Sequence, residues 1–190
     1  MKNIAIAVLL LATAALSFGQ SPRPAISASG ASSDVYVGFL ATSPDYGTRA
    51  SYPGDFFAIP FYGGEAAYTR NLNAHWGVTG AFDFSASSDF DGKLFSGTVG
   101  PRYNFMTHRL RPYATAQIGY AHLSSNGLYT GKLGVTTSES GFTYRLGGGA
   151  DLQLGDRFYW RVISYDVQPQ SWGRDTPWYQ NFGTGVGFRF

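Results

Sequence analysis

Cysteine is absent from this chain of 190 residues, and charged side chains are scarce. Without thiols the chain has no disulfide framework, no thiolate metal ligand and no thiol nucleophile. Charged residues make up 14% of the sequence, against about a quarter in an ordinary globular domain. The 14 Lys and Arg residues only slightly outnumber the 12 Asp and Glu residues, so the charge balance does not indicate a nucleic-acid partner.

Long apolar runs are also missing beyond the start of the chain. The run over residues 4–16 follows a lysine and precedes the small residues Ser17 and Gly19. It is shorter than the roughly 18 residues that a membrane-spanning helix needs, and its flanks are typical of a secretory signal peptide. We therefore predict a signal peptide over residues 1–19, cleaved after Gly19, and a periplasmic tail over residues 20–32. The mature chain is predicted to have no transmembrane helix.

Aromatic residues and glycine are abundant instead. Aromatic residues make up 17% of the chain, which also contains 25 glycines. Large apolar residues alternate with small or polar ones, and this period of two predicts β-strands with one apolar face. The predicted strands cover residues 33–43, 61–70, 75–86, 93–105, 111–123, 141–153, 158–168 and 178–190.

The connections between these strands switch between short and long. Connections on one side cover residues 71–74, 106–110 and 154–157, and most of those on the other are long, at 44–60, 124–140 and 169–177. This asymmetry is typical of outer-membrane barrels, and in hydrocarbon only closure satisfies every backbone group of a sheet. We predict an all-β fold, an eight-stranded antiparallel up-and-down transmembrane β-barrel over residues 33–190.

The strand period turns apolar side chains toward lipid and polar ones inward. Side chains just fill the interior of an eight-stranded barrel, so we expect a packed polar core. A buried charge without a partner is costly, and we therefore expect the inward charges to pair across the lumen. The members of this expected network are Glu65, Asp83, Arg102, Arg145, Asp151 and Arg189. A narrow ion-selective pore lined by the same residues is the alternative.

The strand over residues 158–168 does not keep one facing. Strict alternation that turns Arg161 inward also turns Ile163 and Tyr165 inward and Asp166 outward. A β-bulge, which inserts one extra residue into a strand, would restore the pattern.

Three stretches carry a resemblance to a known family. They are Arg111–Tyr120, Gly147–Arg157 and the alternating last strand, which ends on an aromatic residue. Together they resemble the eight-stranded outer-membrane barrels that include the membrane domain of OmpA and OmpX. The resemblance implies outer-membrane localisation, contact with outer-membrane lipid and lipopolysaccharide, and insertion by the barrel assembly machinery, with Phe188 and Phe190 as the C-terminal assembly signal. We expect a non-enzymatic monomer that serves membrane integrity, adhesion or slow solute passage, as members of that family do.

His122 and Ser124 support one enzymatic hypothesis. They share the outward face near the outer rim, and Glu139 follows across the loop. Serine, a histidine base and an orienting carboxylate are the groups that acyl transfer uses. The pair is similar to the His-x-Ser of lipid A 3-O-deacylase, although Ser125 interrupts that family's His-x-Ser-Asn string. The alternative is a polar strand end at the level of the lipid headgroups.

No cofactor or metal site is predicted. His75 and His108 lie at or near short turns, and neither has a second ligand at metal-binding spacing. A structural or solvated role is therefore expected for both histidines.

The long loops offer a binding alternative. Aromatic side chains anchor many protein interfaces, and the loops and their edges contain Tyr46, Tyr52, Phe56, Phe57, Tyr129, Trp172 and Trp178. A soluble lipocalin-type barrel is the competing fold. It is disfavoured because such a barrel would turn its apolar side chains inward.

Overall fold

A computed structural model describes residues 32–45, 61–87, 92–105, 109–126, 136–171 and 178–190. Within these residues, no helix has both the length and the apolar character needed to cross a membrane. The predicted signal peptide and most of the predicted tail lie outside the described residues, so both stay predictions.

The described residues form eight strands. These are β1 (Ser33–Asp45), β2 (Phe61–Asn71), β3 (Trp76–Ser87), β4 (Gly92–Asn104), β5 (Leu110–Asn126), β6 (Thr136–Gln153), β7 (Phe158–Ser171) and β8 (Trp178–Arg189). Each predicted strand is confirmed, but β5, β6 and β7 extend further on the long-loop side than the sequence suggested. There the Ser- and Thr-rich composition resembles a loop, while the ladder continues to the pair Asn126 and Thr136.

Each strand pairs antiparallel with the next, and β1 pairs with β8 to close the sheet. Beyond the ladder, the Ser33 and Phe190 backbones exchange two hydrogen bonds, each 2.9 Å long. The predicted fold class is therefore confirmed. Closure gives the first and last strands partners on both sides, which hydrocarbon requires of a spanning sheet.

Burial alternates along the strands as the sequence predicted. In β3, Trp76, Val78, Phe82 and Phe84 are exposed on the outside, whereas Asp83 is buried between two of them. Outward aromatic side chains pack against one another across neighbouring strands. The ring centroids of Trp76 and Tyr103, for example, are 4.9 Å apart.

Strand β7 contains the expected bulge. The register against β8 shifts between Arg161 and Ser164, so Thr184 faces two residues of β7 instead of one. Arg161 is buried, Ile163 is exposed, and Asp166 is buried. Strict alternation was therefore wrong for Ile163 and Asp166, and for Tyr165, because the extra residue reverses the facing of the rest of the strand.

Glycines inside the barrel make room for tyrosines. Gly187 lies opposite Tyr159 in the β7–β8 ladder, and a Cβ atom added at Gly187 would overlap the Tyr159 ring. Tyr159 also clusters with Tyr36 and two small residues, Ala67 and Ala81. Small residues on some strands thus let large side chains from other strands fill the lumen.

Candidate functional site in the barrel lumen

Arg145 lies at the centre of the lumen, among three carboxylates. Its guanidinium nitrogens lie 2.9 Å from Asp83, 2.7 Å from Asp166 and 3.3 Å from Glu65. All four side chains are at most 7% exposed, and Ser96 donates a further hydrogen bond to Asp83. We call these four charged residues the central layer. Charges this deeply buried are tolerated only when they are paired and hydrogen-bonded.

A stack of alternating tyrosine and arginine side chains fills the lumen on the periplasmic side of this layer. The Arg161 guanidinium lies 3.8 Å from the ring centroid of Tyr36 and 4.8 Å from that of Tyr113. Arg102 lies 3.8 Å from the same Tyr113 ring. Asp151 accepts hydrogen bonds from both arginines. The stack combines ion pairing with cation–π contact, which strengthens when water is excluded.

The extracellular end of the lumen contains an apolar cluster beside buried polar side chains such as Thr42, Gln168 and Asn181. Phe61, Leu94, Leu123 and Tyr179 form a buried cluster there, near the strand ends opposite the short periplasmic turns. The expected packed polar core is thus interrupted at this end by four large side chains. An apolar constriction opposes the passage of water and ions by dewetting.

The structure places all of the predicted network residues on the inward face. Glu65, Asp83, Arg102, Arg145 and Asp151 are buried in the two groups described above.

Arg189 belongs to neither group. It pairs at the periplasmic end with Asp34, at 2.6 Å, and Asn71 donates a hydrogen bond to the same carboxylate.

Four inward charges were missing from the predicted set, namely Asp34, Arg111, Arg161 and Asp166. For Asp34 and Arg111 the signal was present, because each lies two residues from an inward tyrosine, Tyr36 or Tyr113. Asp166 was hidden by the bulge in β7.

The candidate acyl-transfer residues do not come together. His122 Nδ1 shares a hydrogen bond of 2.6 Å with Ser140 Oγ rather than with Ser124. Glu139 lies directly across from Leu123, which points into the lumen. Directly paired residues of a sheet share a face, so Glu139 lies on the opposite face from His122. Among the residues that the structure describes, no carboxylate is seen to orient the histidine.

The other sequence-based candidates are placed as follows. His75 Nδ1 shares a hydrogen bond of 2.8 Å with the carbonyl oxygen of Asn104. Within the described ranges, no group of three or more metal-binding side chains is found. Trp178 opens β8 with an exposed side chain. His108 and the other loop aromatics lie outside the described residues.

Comparison with known proteins agrees with this geometry. The family model of the outer membrane protein beta-barrel domain matches residues 4–190, and no curated protein matches. Among solved structures, the attachment invasion locus protein Ail of Yersinia pestis is 19% identical, with a TM-score of 0.57 over 84% of this chain and 99% of Ail.

Two further structures are similar. Neisserial surface protein A has a TM-score of 0.63 and 13% identity, over 87% of this chain and 100% of that one. OprG of Pseudomonas aeruginosa has a TM-score of 0.53 and 13% identity, over 85% of this chain and 96% of that one. At these identities the structures establish the fold, while the family model covers nearly the whole chain. The chain therefore belongs to the outer membrane protein beta-barrel domain family and is an eight-stranded barrel of the bacterial outer membrane.

Proposed function

We propose that the protein is a sealed, monomeric and non-enzymatic barrel that holds its extracellular connections at the cell surface, where it serves membrane integrity or surface interaction. The observation that carries this proposal is the filled lumen. The apolar cluster, the central layer and the tyrosine–arginine stack follow one another from the outer end toward the periplasm.

Steady solute passage would require several of these contacts to break at once. Arg145 would have to leave three carboxylates, and Arg161 would have to leave both its tyrosines and Asp151. Removing one partner of a buried ion pair costs about 3–5 kcal/mol. An open state is therefore rarely populated, which favours the sealed barrel over the narrow pore.

The long-loop side supports a role in surface interaction. The β5–β6 hairpin is paired up to Asn126 and Thr136, whereas the β6–β7 ladder ends at Phe142 and Ser171. The hairpin thus extends beyond its neighbour and would carry its connection away from the membrane. One structure of the similar protein Ail holds the heparin analogue sucrose octasulfate, and a polyanionic surface ligand is a reasonable first probe here.

Two measurements test the proposal. The purified barrel in planar lipid bilayers is expected to give no steady conductance, and stable channels in the unaltered protein would contradict the seal. In cells that produce the protein, residues 46–60 and 127–135 are replaced in separate variants by short Gly-Ser linkers. The adhesion of these bacteria and their resistance to detergent are then compared with those of a deletion strain. Loss of binding with detergent resistance retained indicates surface interaction. If only the deletion strain becomes sensitive to detergent, the barrel serves membrane integrity and does so without these two connections.

A further inference from the structure

The periplasmic mouth of the lumen contains a small cavity with a volume of about 10 Å³. Its wall is formed by Arg111, Asp151, Gln153, Asp156, Arg157, Phe158, Tyr159 and Arg189. Arg111 is only 5% exposed, yet its Nε and Nη1 atoms have no hydrogen-bond partner among the described residues. A buried charged donor left in this state is more costly than an unpaired neutral group.

The Nε and Nη1 atoms of Arg111 lack a partner among the described residues because the carboxylate directly across the ladder is already bound. Arg111 and Asp151 are directly paired across the β5–β6 ladder. Asp151 nevertheless directs Oδ2 to Arg102 and Oδ1 to Arg161. Each Asp151 oxygen therefore already contacts a guanidinium, and the Nε and Nη1 atoms of Arg111 face the cavity without an acceptor.

The charge around the cavity is positive once the established pairs are set aside. Asp151 is shared by two arginines, and Arg189 is neutralised by Asp34. Arg111, Arg157 and Asp156 complete the charged groups of the wall, in which three arginines face two carboxylates. In the central layer the excess is of the opposite sign, because three carboxylates surround Arg145 and only one of them, Glu65, also meets Arg161, at 3.8 Å. Inward charge is thus separated along the barrel axis, with acidic excess in the middle and basic excess at the periplasmic mouth.

The size of the cavity restricts its occupant. A cavity volume of about 10–15 Å³ is enough for about one water molecule. Among inorganic anions, a single halide ion is the closest to this size. Water would accept the Arg111 hydrogen bonds, but an anion would also offset the positive charge, and charge-assisted hydrogen bonds are the stronger ones.

We propose that this cavity is a binding site for one small inorganic anion of halide size, with Arg111 as its principal ligand. Bound there, the anion links β5 to the turn that carries Asp156 and Arg157 and to the last strand through Arg189. It would therefore fasten the periplasmic end of the barrel. This site is independent of the proposed surface function.

Thermal unfolding of the full barrel in mild detergent tests the site. Unfolding is measured in sodium chloride, sodium bromide and sodium gluconate at equal ionic strength, because gluconate is too bulky for the cavity. A ligand that binds only the folded state shifts the folding equilibrium by about a hundredfold at a hundredfold excess over its Kd. We expect both halides to raise the unfolding temperature relative to gluconate, in a saturable manner.

Arg111→Gln should abolish this halide dependence, because it removes the charge of the principal ligand. Lys93→Gln, an exposed position at the opposite end of the barrel, is the matched control and should retain the halide dependence.

Equal stability of the unaltered protein in chloride and gluconate would overturn the proposal, as would an undiminished halide effect in Arg111→Gln. If that variant does not fold, crystals of the unaltered protein grown in bromide decide: an anomalous peak beside Arg111 supports the site, and its absence refutes it.

Discussion

Thr184 donates a hydrogen bond of 2.9 Å from Oγ1 to the carbonyl oxygen of Arg161. This carbonyl lies where the β7 bulge interrupts the ladder with β8. The same threonine oxygen accepts a hydrogen bond of 3.1 Å from Trp160 Nε1. One polar side chain on the lipid-facing surface thus serves a backbone acceptor and an indole donor, in surroundings where water cannot replace it.

Replacing Thr184 with valine should destabilise the folded barrel by about 1–3 kcal/mol, because both groups then lose their partner in hydrocarbon. Thr184→Ser keeps the hydroxyl and should behave nearly as the unaltered protein. Urea unfolding in lipid vesicles, followed by tryptophan fluorescence, measures the difference. Equal stability of the valine and serine variants would show that the bulge does not depend on this hydroxyl.

Replacing Arg145 with methionine should cost about 3–5 kcal/mol or prevent folding, because three carboxylates lose their common partner. Adding Asp83→Asn and Asp166→Asn should recover much of the loss by removing the uncompensated charge. The gel mobility of unboiled and boiled samples reports the folded fraction. A fully stable single variant would contradict the pairing described for the central layer.

Replacing His122 or Ser124 with alanine should leave the acylation pattern of lipid A unchanged. The reason is geometric, since His122 contacts Ser140 and Glu139 lies on the other face of the sheet. Mass spectrometry of lipid A from cells that produce the unaltered protein, each variant or none gives the comparison. An acyl chain removed only when both residues are intact would establish the enzymatic alternative.

Replacing Phe190 with serine should impair insertion in cells much more than stability in detergent. The Phe190 side chain is 63% exposed, so its replacement removes little packing within the barrel itself. Its predicted role is instead recognition by the assembly machinery. Phe105→Ser, at another exposed aromatic residue of the periplasmic end, is the matched control, and equal insertion of the two variants would argue against the signal.

The alternation of side chains was enough to predict the number of strands, their order and their lipid-facing side. In β3 and β8 nearly every large outward residue is apolar, because the bilayer tolerates little else. The same alternation failed in β7, where one extra residue between Arg161 and Ser164 changes the facing. Such a bulge leaves no composition signal of its own.

Pairing inside the lumen was beyond the reach of sequence patterns. Alternation shows that Asp151 and Arg111 face inward, but it cannot show that Asp151 binds Arg102 and Arg161 instead of its direct neighbour. The apolar cluster was missed for a related reason. Strict alternation turns Phe61 inward with Glu65 and Leu94 inward with Ser96, but both look like lipid-facing residues in composition.

The junction of β1 and β8 also determines when the fold can form. Asp34 and Arg189 are 155 positions apart, so the junction between their strands is among the least local pairings in the chain. Contacts between distant residues slow folding, because the chain must find them at an entropic cost. Until β8 pairs with its two neighbours, β1 and β7 each have a free edge, and free edges can pair with other chains. The unclosed sheet is thus the most aggregation-prone intermediate, and a holding factor is most needed until β8 has paired with β1.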